Sequence, residues 1–161
     1  MVHDRAMEHA ATPRAKPVGW RAWLAPAPDS LMAATLRQVR PAWVEWMHLM
    51  WTVWVFVTPL FGPAGYDLRW LLLTLLSFPL FLGLYAASLL RPARESLRYA
   101  VAMAALSLVL LPWYPSGMTY FVFGCVMLRG CRTVSLGRYL LLLALFNAAF
   151  VGTALAVGYP W

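Results

Sequence analysis

Apolar and polar positions do not alternate along this chain. They separate into blocks. From residue 41 onward, five apolar stretches cover about 41–61, 70–90, 97–114, 116–128 and 139–158, divided by short polar or turn-forming connections. Apolar side chains fall on every face of a helix drawn through these stretches, without the period-two pattern of a half-buried strand. A helix crosses the hydrocarbon core with roughly 20 apolar residues. The pattern therefore predicts an all-α, polytopic membrane protein with about five transmembrane helices. Pro41 suits a first helical turn, where its missing N–H would have no partner anyway. Gly62-Pro63 and Pro115-Ser116-Gly117 are turn signals between stretches. Residues 1–40 read as a polar leader broken by Pro13, Pro17, Pro26 and Pro28. Within it, Asp29 or Ser30 can cap a short amphipathic helix over Leu31–Leu36. The leader has no apolar core of the kind a secretory signal requires.

Composition agrees with the pattern. The 161 residues are 62% apolar and 12% charged, against about 45–50% and 25% for soluble domains. The charge is too sparse to coat a globule of this size, which excludes an ordinary soluble domain and a disordered chain. The net charge of +7 is a topology signal and needs no nucleic acid to explain it. The leader carries Arg5, Arg14, Lys16, Arg21, Arg37 and Arg40. The second connection carries Arg91, Arg94 and Arg98, and the fourth Arg129, Arg132 and Arg138. Only Arg69, beside Asp67, falls on the other side. Basic residues on alternate connections place the N-terminus in the cytoplasm. The fourth stretch spans only roughly 20 Å, but it must cross, or the two later arginine loops would lie on opposite faces. Five crossings that start inside leave Gly158–Trp161 outside. Trp43, Trp70, Trp113, Tyr114, Tyr139, Tyr159 and Trp161 fall where interfacial belts are expected. Trp46, Trp51 and Trp54 are read as packing against neighbouring spans.

Few residues can do chemistry. Glu45 and His48 share one face of the first span, and an intramembrane ionisable group is a functional candidate by default. Glu45 lies only roughly 6 Å from the span's start, so pairing with His48 near the interface is read ahead of a sensing role. Pro79 removes the bond to the Leu75 carbonyl and predicts a kink in the second span. Asn147 is the one asparagine and reads as interhelical glue. Gly83/Ala87, Ala100/Ala104 and Ala148/Gly152/Ala156 are small-residue pairs suited to close helix packing, read as intrachain. Cys125 and Cys131 give no disulfide framework. No phosphate loop, nucleophile set or metal-spaced Cys/His cluster is present, so no cofactor, metal or catalytic residue is assigned. The arginine connections are assigned to anionic lipid headgroups.

Three stretches carry a resemblance: Trp54–Phe61, Ser77–Tyr85, and Leu110–Gly117 running into Thr119–Cys125. Together they resemble the N-terminal membrane region of DesK-like bacterial sensor histidine kinases, over roughly residues 43–161. The resemblance implies a membrane-embedded, signal-sensing module of a two-component system in a bacterial inner membrane. It also implies a bilayer as the primary partner, a homodimer as one arrangement, and a separate kinase or response regulator if the system is split. The chain carries no phosphoacceptor histidine motif and no nucleotide-binding boxes, so it is not expected to be an enzyme. Because a kinase must be cytoplasmic, the odd number of crossings leads to the expectation that the chain stops before a sixth span. A small oligomeric transporter or channel subunit, supported by Glu45, His48 and Asn147, and a structural membrane protein are the competing readings.

Overall fold

A computed structural model of the chain describes residues 24–38, 41, 43–62, 65–130 and 135–158. Among these, the regular elements are helices and turns, with no strand. Helix α1 is Leu31–Arg37. The Ser30 hydroxyl caps it by accepting from the Ala33 N–H at 3.1 Å, and Arg37 sits favourably in its last turn. The first predicted span is not one regular α-helix. It winds as α2 (Trp43–Met47), a 3-10 turn (His48–Thr52), α3 (Val53–Val57) and a second 3-10 turn (Thr58–Phe61). Val, Thr and Trp are weak helix formers, and Pro59 has no N–H to give, so α winding has little local support here.

Helix α4 is Leu68–Leu90, capped by Asp67, whose carboxylate accepts from the Trp70 N–H at 2.7 Å. It runs unbroken through Pro79, which lies on its exposed face. Helix α5 is Ala93–Leu110, a 3-10 turn is Pro115–Gly117, α6 is Met118–Gly130, and α7 is Leu136–Ala156 with Ser135 as its cap. Two of these, α4 and α7, are long and apolar enough to cross a membrane. Helix α5 carries Arg94, Glu95 and Arg98 in its first turns, and α6 has 13 residues.

Helices α5 and α6 form the closest pair, an antiparallel hairpin. Gly124 faces Ala100 and Ala104, and a Cβ on it would lie 2.9 Å from the Ala100 carbonyl and 3.0 Å from the Ala104 nitrogen. The Ala100/Ala104 pair is thus spent inside the chain. Gly83 and Gly152 meet nothing within 4 Å. Phe81 of α4 stacks on Tyr120 of α6 with centroids 4.6 Å apart. Phe123 stands edge-on to Phe81 and Tyr85. Helix α7 touches α6 through Phe121, which meets Phe146 and Phe150, and Ala154 is its one buried residue.

These contacts fix the two ends of the bundle. At one end Trp70 donates its indole N–H to Ser116 at 3.2 Å. At the other the Ala27 N–H donates to the Leu90 carbonyl at 2.8 Å, which ties the leader down, and Met32 of α1 joins the buried core. The described arginines Arg37, Arg91, Arg94, Arg98 and Arg138 lie at this second end, while Arg69 lies at the first.

Candidate functional site

Two polar clusters stand out in an otherwise apolar molecule. The first joins α1, α2 and α4 at the basic end. Thr35, 6% exposed, donates its hydroxyl to Glu45 Oε1 at 2.6 Å. Tyr85, fully buried, donates to the Glu45 backbone carbonyl at 2.5 Å, and Trp46 stands edge-on to its ring. Glu45 therefore holds the leader through its side chain and α4 through its backbone. The cap at Ser30 sets the register of α1 so that Met32 and Thr35, three residues apart, share the face turned to the core.

The second cluster lies toward the other end. The Thr74 and Tyr114 hydroxyls are 2.7 Å apart, and Ser77 and Tyr120 are 3.0 Å apart. With Trp70–Ser116, these bonds pin α4 to the turn between α5 and α6 and to the start of α6. Phe81, stacked on Tyr120, closes the cluster toward the middle of the bundle. Ser107 is fully buried, and its hydroxyl has no partner among the described residues.

The residues singled out by sequence do not form one site. His48 is exposed, and no described residue hydrogen-bonds it; Glu45 pairs with Thr35 instead. The winding does not separate them, since residues 45–47 are α-helical and a 3-10 turn also sets i and i+3 in line; the Glu45 carboxylate is drawn to Thr35 of α1, while His48 stays exposed. Asn147 donates to the Leu143 carbonyl of its own helix at 2.8 Å, so no interhelical bond is made there. It lines a groove between α6 and α7 with Phe121, Cys125 and Tyr139. Helix α6 stands between this groove and α3, so Glu45 and Asn147 share no path.

Arg94, Arg98 and Arg138 are exposed, and Arg91 is half-buried with its N–H closing α4 on the Ala87 carbonyl at 2.9 Å. The Arg129 side chain, Cys131, Arg132, Tyr159 and Trp161 lie outside the described residues. One aromatic reading changes: Tyr114, read as interfacial, is 1% exposed because Thr74, forty positions earlier, offers it a partner. Trp46, Trp51 and Trp54 are 38–57% exposed, with Trp46 edge-on to Tyr85 of α4 and Trp51 and Trp54 lining a groove against Val122 and Phe123 of α6.

Thr35, Tyr85 and the hydroxyl pairs were not singled out from the sequence. The signal was Thr74 and Ser77 at helical spacing in an apolar run, but their tyrosine partners are more than 35 positions away. Among the described residues, no three His, Cys, Asp or Glu side chains come close enough to hold a metal ion.

The fold and these clusters define an all-helical protein with two membrane-length helices and a hydroxyl-rich interior. No protein-family model, curated protein or solved structure matches the chain.

Proposed function

We propose that this chain is a multi-pass module of a bacterial inner membrane that senses the state of the bilayer and reports it on the cytoplasmic side. In this reading the segment 43–61 and helices α4, α5, α6 and α7 are five crossings, with the leader and the basic end in the cytoplasm. The observation that carries it is the apolar outer face of the two long helices. Leu68, Leu72, Leu75 and Leu76 of α4 and Leu136, Leu141 and Leu155 of α7 point outward and are more than half exposed. Thr74, Ser77, Ser88, Ser96, Ser107 and Ser116 are buried together with Phe81, Leu89 and Met103. Water would disfavour that outer face, because each exposed leucine forfeits roughly 1.5–3 kcal/mol of burial. Lipid accepts it, and there the hydroxyls are kept inside, where Thr74 and Ser77 meet tyrosines and Ser88 and Ser96 meet backbone carbonyls.

Arg37, Arg91, Arg94, Arg98 and Arg138, gathered at one end, support the cytoplasmic assignment of that end. Support for sensing comes from the resemblance to the membrane region of DesK-like kinases and from the leader. Helix α1 is docked on the bundle through Glu45, at the face where a kinase or response regulator would be reached. A shift of the spans in response to the bilayer would alter that docking. The test is amide hydrogen exchange of α1 in the full chain, reconstituted in vesicles of short-, medium- and long-chain phosphatidylcholine. Protection of residues 31–37 is expected to change by at least about threefold across the series. Exchange indifferent to chain length and temperature would contradict a sensing role.

A further inference from the structure

The segment Trp43–Phe61 is overwound over about half its length. Its α portions have five residues each, and its 3-10 portions five and four. At 1.5 Å per α residue and about 2.0 Å per 3-10 residue, it spans roughly 33 Å, where all-α winding would span roughly 28 Å. The hydrocarbon core of bilayers runs from about 27 Å to about 33 Å. The two windings of this one segment bracket that range.

The overwound form is held from outside. Tyr85 donates to the Glu45 carbonyl and Tyr66 to the Phe56 carbonyl, both at 2.5 Å. Both tyrosines belong to α4 or the turn that leads into it, and Tyr66 is itself edge-on to Trp70 of α4 with centroids 5.0 Å apart. The first 3-10 turn, His48–Thr52, lies between the two held carbonyls. Thr52 back-bonds to the Leu49 carbonyl at 2.6 Å, a three-residue closure that favours this winding. Rewinding the turn as α would bring the two carbonyls together by roughly 2.5 Å. A hydrogen bond ends within about 0.5–1 Å of stretch, so one tyrosine bond must open.

We infer that the segment 43–61 is a two-length element, long when latched by Tyr66 and Tyr85 and short when unlatched, and that bilayer thickness sets its length. This rests on the membrane reading above. The local sequence keeps the two windings close in energy, because Val44, Thr52, Val53, Val55, Val57, Thr58 and the tryptophans favour α winding only weakly. When the Tyr85 bond is the one that opens, the end that moves carries Glu45, and Glu45 carries Thr35 of α1. Shortening therefore pulls on the leader, and the output is mechanical.

The test uses the full chain with Trp43→Cys and Phe61→Cys on a Cys125→Ala, Cys131→Ser background. Both cysteines are spin-labelled, and the label–label distance is measured by pulsed dipolar spectroscopy in short- and long-chain phosphatidylcholine vesicles. The long-chain value is expected to exceed the short-chain value by about 2.5 Å, the difference in rise over the one latched turn, His48–Thr52. Tyr66→Phe, at an exposed turn, should give the short distance in long-chain lipid as well, and Tyr85→Phe should do the same. A distance that ignores chain length overturns the inference, as does a Tyr66→Phe protein that keeps the long form. The same two cysteines are probed with a membrane-impermeant thiol reagent from each face. If Trp43→Cys reacts only from inside and Phe61→Cys only from outside, an invariant distance refutes the two-length element and leaves the crossing intact. If both react from one face, the crossing itself is wrong.

Discussion

Removing the Thr35 hydroxyl leaves one Glu45 carboxylate oxygen without its donor. A hydrogen bond to a charged group contributes about 1.5–3 kcal/mol. Thr35→Val should therefore loosen α1 from the bundle and raise amide exchange over residues 31–37 by about tenfold, with α4 and α5 unchanged. The size of a second effect separates side chain from backbone at the same residue. Glu45→Gln keeps an acceptor for Thr35 and leaves the carbonyl that receives Tyr85 untouched, so the exchange of α1 should rise less than in Thr35→Val. At the other cluster, Ser77→Ala and Tyr120→Phe remove the two halves of one buried bond. Side-chain bonds between membrane helices average about 0.6 kcal/mol in double-mutant cycles. A cycle on this pair, followed by unfolding in mixed micelles, should return a coupling near that value.

At the scale of elements, the α5/α6 hairpin depends on Gly124. A Cβ there would press on the Ala100 carbonyl and the Ala104 nitrogen, which are backbone atoms and cannot turn aside. Gly124→Ala should destabilise the bundle by about 1–3 kcal/mol, the usual cost of overpacking. Gly83→Ala, with nothing within 4 Å of the new methyl, should change stability by less than about 0.5 kcal/mol. The comparison of the two in one unfolding assay checks the packing.

The helices themselves were legible in sequence because apolar residues all round leave no other regular structure. Their ends were less so. Helix α4 starts two residues earlier than the apolar run suggests, because Asp67 caps it, and α7 starts early because Ser135 caps it. Helix α5 begins at Ala93 and ends at Leu110, four residues ahead of expectation at each end. Pro92 opens it, and Pro112, with no N–H, helps stop it. The 3-10 turns at His48–Thr52 and Thr58–Phe61 left no mark in the apolar pattern, because side chains that are apolar all round look the same in either winding. The partners of Glu45, Thr74 and Ser77 were hidden because they lie in other parts of the chain. A hydroxyl in an apolar run announces that it needs a partner but does not say which one.

At the scale of the whole molecule, the account turns on which surfaces meet lipid. The outward leucines of α4 and α7, the inward hydroxyls and the arginines gathered at one end all follow from a bundle that stands across a bilayer. The five-crossing arrangement has a direct test in single cysteines placed on a Cys125→Ala, Cys131→Ser background at Gly65, Arg94, Trp113 and Ser135, one in or beside each connection; Trp113 is exposed in the turn between α5 and α6. Labelling with an impermeant thiol reagent in intact cells and in inverted vesicles reports the face of each. Five crossings predict that Gly65→Cys and Trp113→Cys react from outside and that Arg94→Cys and Ser135→Cys react from inside. Trp113→Cys and Ser135→Cys reacting from the same face would remove α6 as a crossing, and all four reacting from one face would contradict the membrane-spanning bundle altogether.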